Sequence, residues 1–132
     1  RSFVFGADPT AEQRKVWDQV ARGQQIAIKA ARLGAPAGTV DDAVRAAYTS
    51  WGYGPGYKLP GLSHRTGHGI GLSTHEEPFI MEGNDRTLEE GMAFSIEPGI
   101  YLKGKWGMRL EDIVVLTNDG YESLNQAPRD VR

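Results

Sequence analysis

Apolar residues Val16, Val20, Ala27 and Ala31 recur at helical spacing and predict an amphipathic helix near 10–33. Asp8-Pro9-Thr10 followed by Gln13 supplies an N-cap, a helix-compatible proline and a capping box at its start. Gly34 marks its end, and Gly23, which costs about 1 kcal/mol against alanine inside a helix, marks a place for a break. A second apolar stripe, Val40, Val44, Ala47, Tyr48 and Trp51, predicts a helix over 40–51 closed by Gly52. Asp41 and Asp42 fall in its first turn, where negative charge suits the helix dipole. Ser2-Phe3-Val4-Phe5 reads as the tail of a strand.

Past Gly52 the period changes. Gly54-Pro55-Gly56 and Pro60-Gly61 mark irregular chain. Residues 92–102 and 108–116 alternate as strands do, with Pro98-Gly99 interrupting the first. Residues 102–107 have the makeup of a hairpin turn, and Ile113-Val114-Val115-Leu116 reads as a buried strand closed by Asn118-Asp119-Gly120. The switch predicts one α+β unit, with two helices packed on an antiparallel sheet formed mainly by residues after 65.

Composition narrows the function. The 132 residues fit one domain, and a net charge of −2 provides neither a basic field for nucleic acid nor an acidic tail. The chain has no cysteine, which excludes a disulfide scaffold, thiolate catalysis and thiolate metal sites. No apolar run approaches the roughly 18–20 residues of a membrane span, and Arg1-Ser2 does not open a signal peptide, so a cytoplasmic protein is expected. Glycine is the one departure, with 17 residues where an average of about 7% would give far fewer. Most lie between 52 and 107, and so do all three histidines.

Those histidines are His64, His68 and His75. Gly67, Gly69 and Gly71 oppose a helix there, but in extended chain His64 and His68 still share a face because their separation is even. His75 has the other parity and needs a bulge or turn to join them. The glycines suggest that bulk is kept away from the His68 imidazole. His75-Glu76 opens like a zincin helix, but Phe79 stands where the second histidine belongs; the spacing of Gly67, Gly69 and Gly71 does not fit a nucleotide loop. A glycine-rich surface loop with incidental histidines is the plainer alternative.

Two carboxylates favour the chemical reading. Glu97 and Glu111 each interrupt an apolar strand, where an unpartnered ionised carboxylate is costly. With the hairpin turn centred near Gly104, residues whose numbers sum to 208 lie opposite each other, so Glu97 faces Glu111. Like charges across a ladder repel; a cation or a shared proton between them reverses the sign. The alternative is an ion pair from each to Arg109 or a lysine. His68 with two facing carboxylates is an oxygen-rich, single-imidazole set suited to Mn²⁺, Co²⁺ or Zn²⁺. Asp112 points to the opposite face from Glu111 in a regular strand. From the residues alone, the site is an incomplete metal centre with two more histidines nearby.

The order and spacing of three blocks go further. His64, His68-Gly69-Ile70-Gly71 and His75-Glu76, then Ser95-Ile96-Glu97-Pro98-Gly99-Ile100-Tyr101, then Arg109-Leu110-Glu111-Asp112, strongly resemble the pita-bread (M24) metallopeptidases. That family holds Xaa-Pro dipeptidases (prolidases), Xaa-Pro aminopeptidases, methionine aminopeptidases and creatinases, and the third block together with the His64/His68 spacing resembles its proline-specific branch. The resemblance implies a curved antiparallel sheet with helices packed on it, and hydrolysis of the peptide bond before proline by a metal-bridged hydroxide between two divalent ions, Mn, Co or Zn. It implies His68, Glu97 and Glu111 as metal ligands, with Glu111 bridging both ions and Glu97 also moving protons. His75 corresponds to a histidine near the scissile carbonyl, His64 to one beside the substrate, and Arg109 to a group steadying the carboxylates. A peptide with proline at its second position is the implied partner, and a homodimer the implied assembly of the full-length protein.

The family pattern also needs two aspartates on a hairpin, the second just ahead of an Arg-Ser/Thr-Phe-x-x-Gly stretch. Arg1-Ser2-Phe3-Val4-Phe5-Gly6 matches that stretch, so the aspartates, the first half of the catalytic domain and an amino-terminal accessory domain are expected to lie outside residues 1–132. These residues alone are then expected to hold one ion weakly or none, and to be essentially inactive. A creatinase-like relative, or a non-enzymatic binding module on the same fold, is the alternative function.

Overall fold

The computed structural model describes residues 2–131. Helix α1 spans Ala11–Ala30 and opens on the expected capping box. The Gln13 amide donates to Thr10 Oγ1 at 3.2 Å, and the Thr10 amide to Gln13 Oε1 at 2.7 Å. The helix runs unbroken through Gly23, whose missing side chain lets α2 approach. A Cβ there would stand 2.6 Å from Tyr48 Cε1. Helix α1 ends at Ala30, short of the expected 33, because the chain beyond it pairs elsewhere. The Gly34 amide donates to Leu88 O and the Leu88 amide to Ala35 O, at 2.8 and 2.9 Å, and Pro36 bridges Thr87.

Helix α2 spans Gly38–Ser50, with Trp51 as its C-cap and Gly52 beyond it at φ +91°. Its first-turn Asp41 is fully buried, so its role is not that of a solvated dipole partner. The strand expected at residues 2–5 does not form. Only Ser2 is tied down, its Oγ accepting the Arg109 amide at 3.0 Å, while Phe3 and Phe5 stay exposed.

The sheet follows the predicted change of period. Strands β1 (Gly67–Gly69), β2 (Glu76–Ile80), β3 (Ala93–Ile96), β6 (Asp112–Thr117) and β7 (Gly120–Ser123) form one antiparallel sheet in the order β2-β1-β3-β6-β7. Strands β4 (Gly99–Leu102) and β5 (Trp106–Arg109) form a separate two-stranded ladder. One register governs both sides of the break. Phe94 faces Val114 and Ile96 faces Asp112; beyond the break, Gly99 faces Arg109 and Leu102 faces Trp106. The two ladders are therefore one hairpin interrupted around Glu97-Pro98 and Leu110-Glu111, and Pro98 has no N–H to donate at that point.

Val16, Val20 and Ala27 of α1 join Val40, Val44 and Tyr48 of α2 and Ile80, Phe94, Ile96 and Val114 of the sheet in one core. Among the described residues, no helix is long and apolar enough to cross a membrane.

The glycines flanking His68 serve the backbone rather than the imidazole. A Cβ at Gly67 would collide with the Ser95 carbonyl, and one at Gly69 with the Glu77 carbonyl. Strand β1 thus lies closer to its neighbours than any side chain allows. Gly67→Ala is expected to lower the unfolding free energy by about 3 kcal/mol, as overpacking against backbone does. Urea unfolding measures it, and an unchanged midpoint would contradict the close approach.

Candidate active site

Strand β1 carries His68 into a buried position beside β3. Its main-chain amide donates to Ser95 Oγ at 3.0 Å, and its Nδ1 lies 3.1 Å from the Gly69 carbonyl. A carbonyl only accepts, so that contact places the hydrogen on Nδ1. Nε2 then points at Glu97 Oε1, 3.1 Å away. An imidazole lone pair facing a carboxylate at this distance requires something positive between them, a proton or a cation.

Glu97 is buried at the break in the hairpin. Its amide donates to the Thr66 carbonyl at 2.8 Å, and its Oε1 lies 3.1 Å from the Ser95 hydroxyl. Its other oxygen faces Arg109 Nη1 at 3.4 Å, and Arg109 Nη2 faces Glu111 Oε2 at 3.5 Å. Arg109 therefore sits across the two carboxylates. This contact is the ion pair to Arg109 expected as the alternative.

The other two histidines take different places. The turn after β1, with a register shift between Gly67 and Gly69, swings His75 over His68, the ring centroids 4.2 Å apart. His64 lies on the far side against Tyr101. Its Nδ1 is 2.7 Å from the Arg65 carbonyl and carries the hydrogen, so Nε2 accepts from the Tyr101 hydroxyl at 2.7 Å. Burial pushes the Tyr101 phenol up.

Direct contacts thus link His68, Glu97, Arg109 and Glu111, with the His75 ring packed at a tilt against His68 on one end and His64 joined through Tyr101. Among the described residues, no group of three or more His, Asp or Glu approaches closely enough to hold an ion by itself. The donor chemistry suits one side of a metal centre, an imidazole nitrogen held by its second nitrogen and two carboxylates held by an arginine. Asp112 is turned away and buried, paired with Arg129 Nη1 at 2.6 Å.

Sequence reasoning missed Ser95 and Tyr101, although both share the strand parity of Glu97. It also missed Thr66 and the buried pair Asp41–Arg45, whose Nε and Oδ2 stand 2.6 Å apart. The signal for that pair was two charges four apart, interleaved with Val44 and Tyr48 on the buried face of α2.

Burial holds the His64 imidazole below its ordinary value near 6.5, against the opposing pull of the Arg65 carbonyl and the Glu97 charge. The unfolded chain therefore binds a proton that the folded chain refuses. Stability contributed by neutral His64 is complete above about pH 6.5, declines as pH falls through that value, and is lost below the folded pKa. An NMR titration should place the His64 midpoint below 6.5. The difference between parent and His64→Asn unfolding curves against pH should show the same window, and a midpoint above 6.5 would contradict the burial argument.

The description "Metallopeptidase family M24" matches residues 1–118. The chain is 44% identical over 131 residues to the "Probable dipeptidase PepE" of Mycobacterium bovis, covering 99% of this chain and 33% of that protein. It is 42% identical over 132 residues to the "Xaa-Pro dipeptidase" of Lactobacillus helveticus, covering all of this chain and 34% of that one. The crystal structure of dipeptidase PepE from Mycobacterium ulcerans superposes with a TM-score of 0.84 at 46% identity, over 95% of this chain and 32% of that one. The chain spans about a third of the length of these curated relatives. The α+β arrangement of two helices on an antiparallel sheet is thus part of the pita-bread structures, and the chain belongs to metallopeptidase family M24.

Proposed function

We propose that residues 1–132 form the C-terminal part of the catalytic domain of an Xaa-Pro dipeptidase or aminopeptidase, which cleaves the peptide bond before a proline at the second position. The observation that carries this reading is His68 Nε2 facing Glu97 Oε1, with Arg109 joining Glu97 to Glu111 across the break in the hairpin. The names of the M. bovis and L. helveticus relatives support a dipeptide substrate.

His68, Glu97 and Glu111 would hold divalent ions (Mn, Co or Zn) together with two aspartates from preceding sequence. Such ions, when bound, polarise a substrate carbonyl and lower the pKa of water. The chain's own residues do the rest. The Gly69 carbonyl fixes the His68 tautomer, so Nε2 is always presented as a donor atom. The Ser95 hydroxyl engages Glu97 Oε1 and Arg109 engages Oε2, which fixes the orientation of the carboxylate, with Oε1 turned toward His68. His75, packed at a tilt against His68 but itself exposed, offers a hydrogen bond to an oxygen that becomes negative. His64 is kept neutral and tied to Tyr101, and with it walls the substrate side.

Arg109, already opposite both carboxylates, is the observation that favours a second reading, a relative that keeps the fold without metal. Proline release from Xaa-Pro dipeptides by the full-length protein, with and without Mn²⁺, decides between them. Chelation should abolish release, and Glu111→Gln should lower kcat/KM by about a thousandfold, several kcal/mol of barrier. Residues 1–132 alone should release essentially no proline. Rates equal to those of the full-length protein would show the ligand assignment to be wrong, and release indifferent to chelation would favour the metal-free relative.

A further inference from the structure

The segment between α2 and β1, residues 51–66, has glycines, prolines and no regular secondary structure beyond one bridge, yet it delivers His64 and leads directly into His68. Its backbone carbonyls need donors, and one buried side chain supplies several. Arg45 Nη1 donates to Gly56 O at 2.8 Å and Leu62 O at 3.1 Å, and Nη2 donates to His64 O at 2.8 Å. Its guanidinium also lies 3.9 Å from the centre of the Tyr57 ring.

Asp41, one helical turn before it, holds the other end. Oδ2 accepts from Arg45 Nε at 2.6 Å and from the Glu82 amide at 2.9 Å. Oδ1 accepts the Thr66 amide at 3.0 Å and the Thr66 hydroxyl at 2.6 Å. Thr66 then accepts the Glu97 amide on its own carbonyl at 2.8 Å. A continuous run of hydrogen bonds therefore connects α2 to the main chain at His64, at Thr66 two residues before His68, and at Glu97.

We propose that Asp41 and Arg45 are positioning residues that set the placement of His64, His68 and Glu97, a role that rests on the reading of the site given above. Their hydrogen bonds go to main chain, to the Thr66 hydroxyl and to each other rather than to those imidazoles or that carboxylate. Beside burial, the Arg45 charge adds a direct effect on His64 by lowering its pKa. The guanidinium is needed for its shape as well as its charge. Its planar fork spans three carbonyls and one carboxylate at once, and a lysine ammonium offers its donors from a single point. The shared demand of four acceptors around one fixed plane explains why an irregular segment holds one conformation.

The test uses the full-length protein with Arg45→Lys and Asp41→Asn, beside Val44→Ala. Val44 is a fully buried core residue of the same helix and controls for lost stability alone. Three quantities are read at a temperature where each variant is folded: Mn²⁺ affinity by calorimetry, kcat and KM for an Xaa-Pro dipeptide, and amide hydrogen exchange. Arg45→Lys should weaken Mn²⁺ binding by about 10–100-fold, as loss of a supporting partner does. It should also raise KM and speed exchange at Thr66 and Glu97, while α1 amides keep the parent rate. Val44→Ala should lower the melting temperature and leave the other quantities unchanged. Should Arg45→Lys not fold, Asp41→Asn, which keeps the shape and breaks the charge, reads the same quantities.

Parent-like exchange at Thr66 and Glu97 in both Arg45→Lys and Asp41→Asn, or equal changes in Val44→Ala, would overturn the proposal. A parent protein that releases no proline would instead overturn the functional reading, and the exchange pattern would still decide the positioning role.

Discussion

Burying a carboxylate costs several kcal/mol unless donors and positive charge meet each of its oxygens. Glu97 is buried at the break of the hairpin, and much of the surrounding structure answers that demand. Ser95 Oγ donates to Oε1 and Arg109 meets Oε2, while the His68 Nε2 lone pair faces Oε1 and leaves room for a positive group between them. The amide of Glu97 itself is fixed by Thr66. Breaking the ladder at Pro98 is part of the same solution, since it leaves the carboxylate facing side chains across a gap. Strand β1 must then come close enough for an imidazole to reach, and Gly67 is the residue that permits it.

This explains which features were legible in the sequence. The register could be read because it depends on one turn: with Gly104 at the centre, pairs on both sides of the break obey the same sum. Helix α1 was legible from its capping box, and α2 from its stripe, because those signals are local. The end of α1 was not, because residues 34–38 are drawn off by residues 84–88, a partner far away in sequence. The strand at residues 2–5 failed for the opposite reason. Its apolar alternation is genuine, but the segment pairs with no strand among the described residues, and the Ser2 hydroxyl, bonded to both the amide and the carbonyl of Arg109, ties it down instead.

The glycines were the most misleading signal. Read along the chain, Gly67 and Gly69 seem to clear space for the imidazole between them. In three dimensions both face neighbouring backbone, Ser95 on one side and Glu77 on the other. Spacing along one strand cannot show which strands will flank it. The same limit hid Asp41 and Arg45, since first-turn acids on helices are commonly solvated. Only the irregular segment folded against α2 shows that these two charges face inward.

Arg109 ties the electrostatics together. Two carboxylates brought near each other at the break in the hairpin would repel, and the guanidinium reaching both makes their approach tolerable. The Arg109 side chain is about half exposed, so its hold is weakened by solvent. His68 differs, being buried and fixed by Gly69 and Ser95. The site therefore combines a buried imidazole and a buried carboxylate, both tied to Ser95 and to neighbouring main chain, with a positive group at the solvent edge.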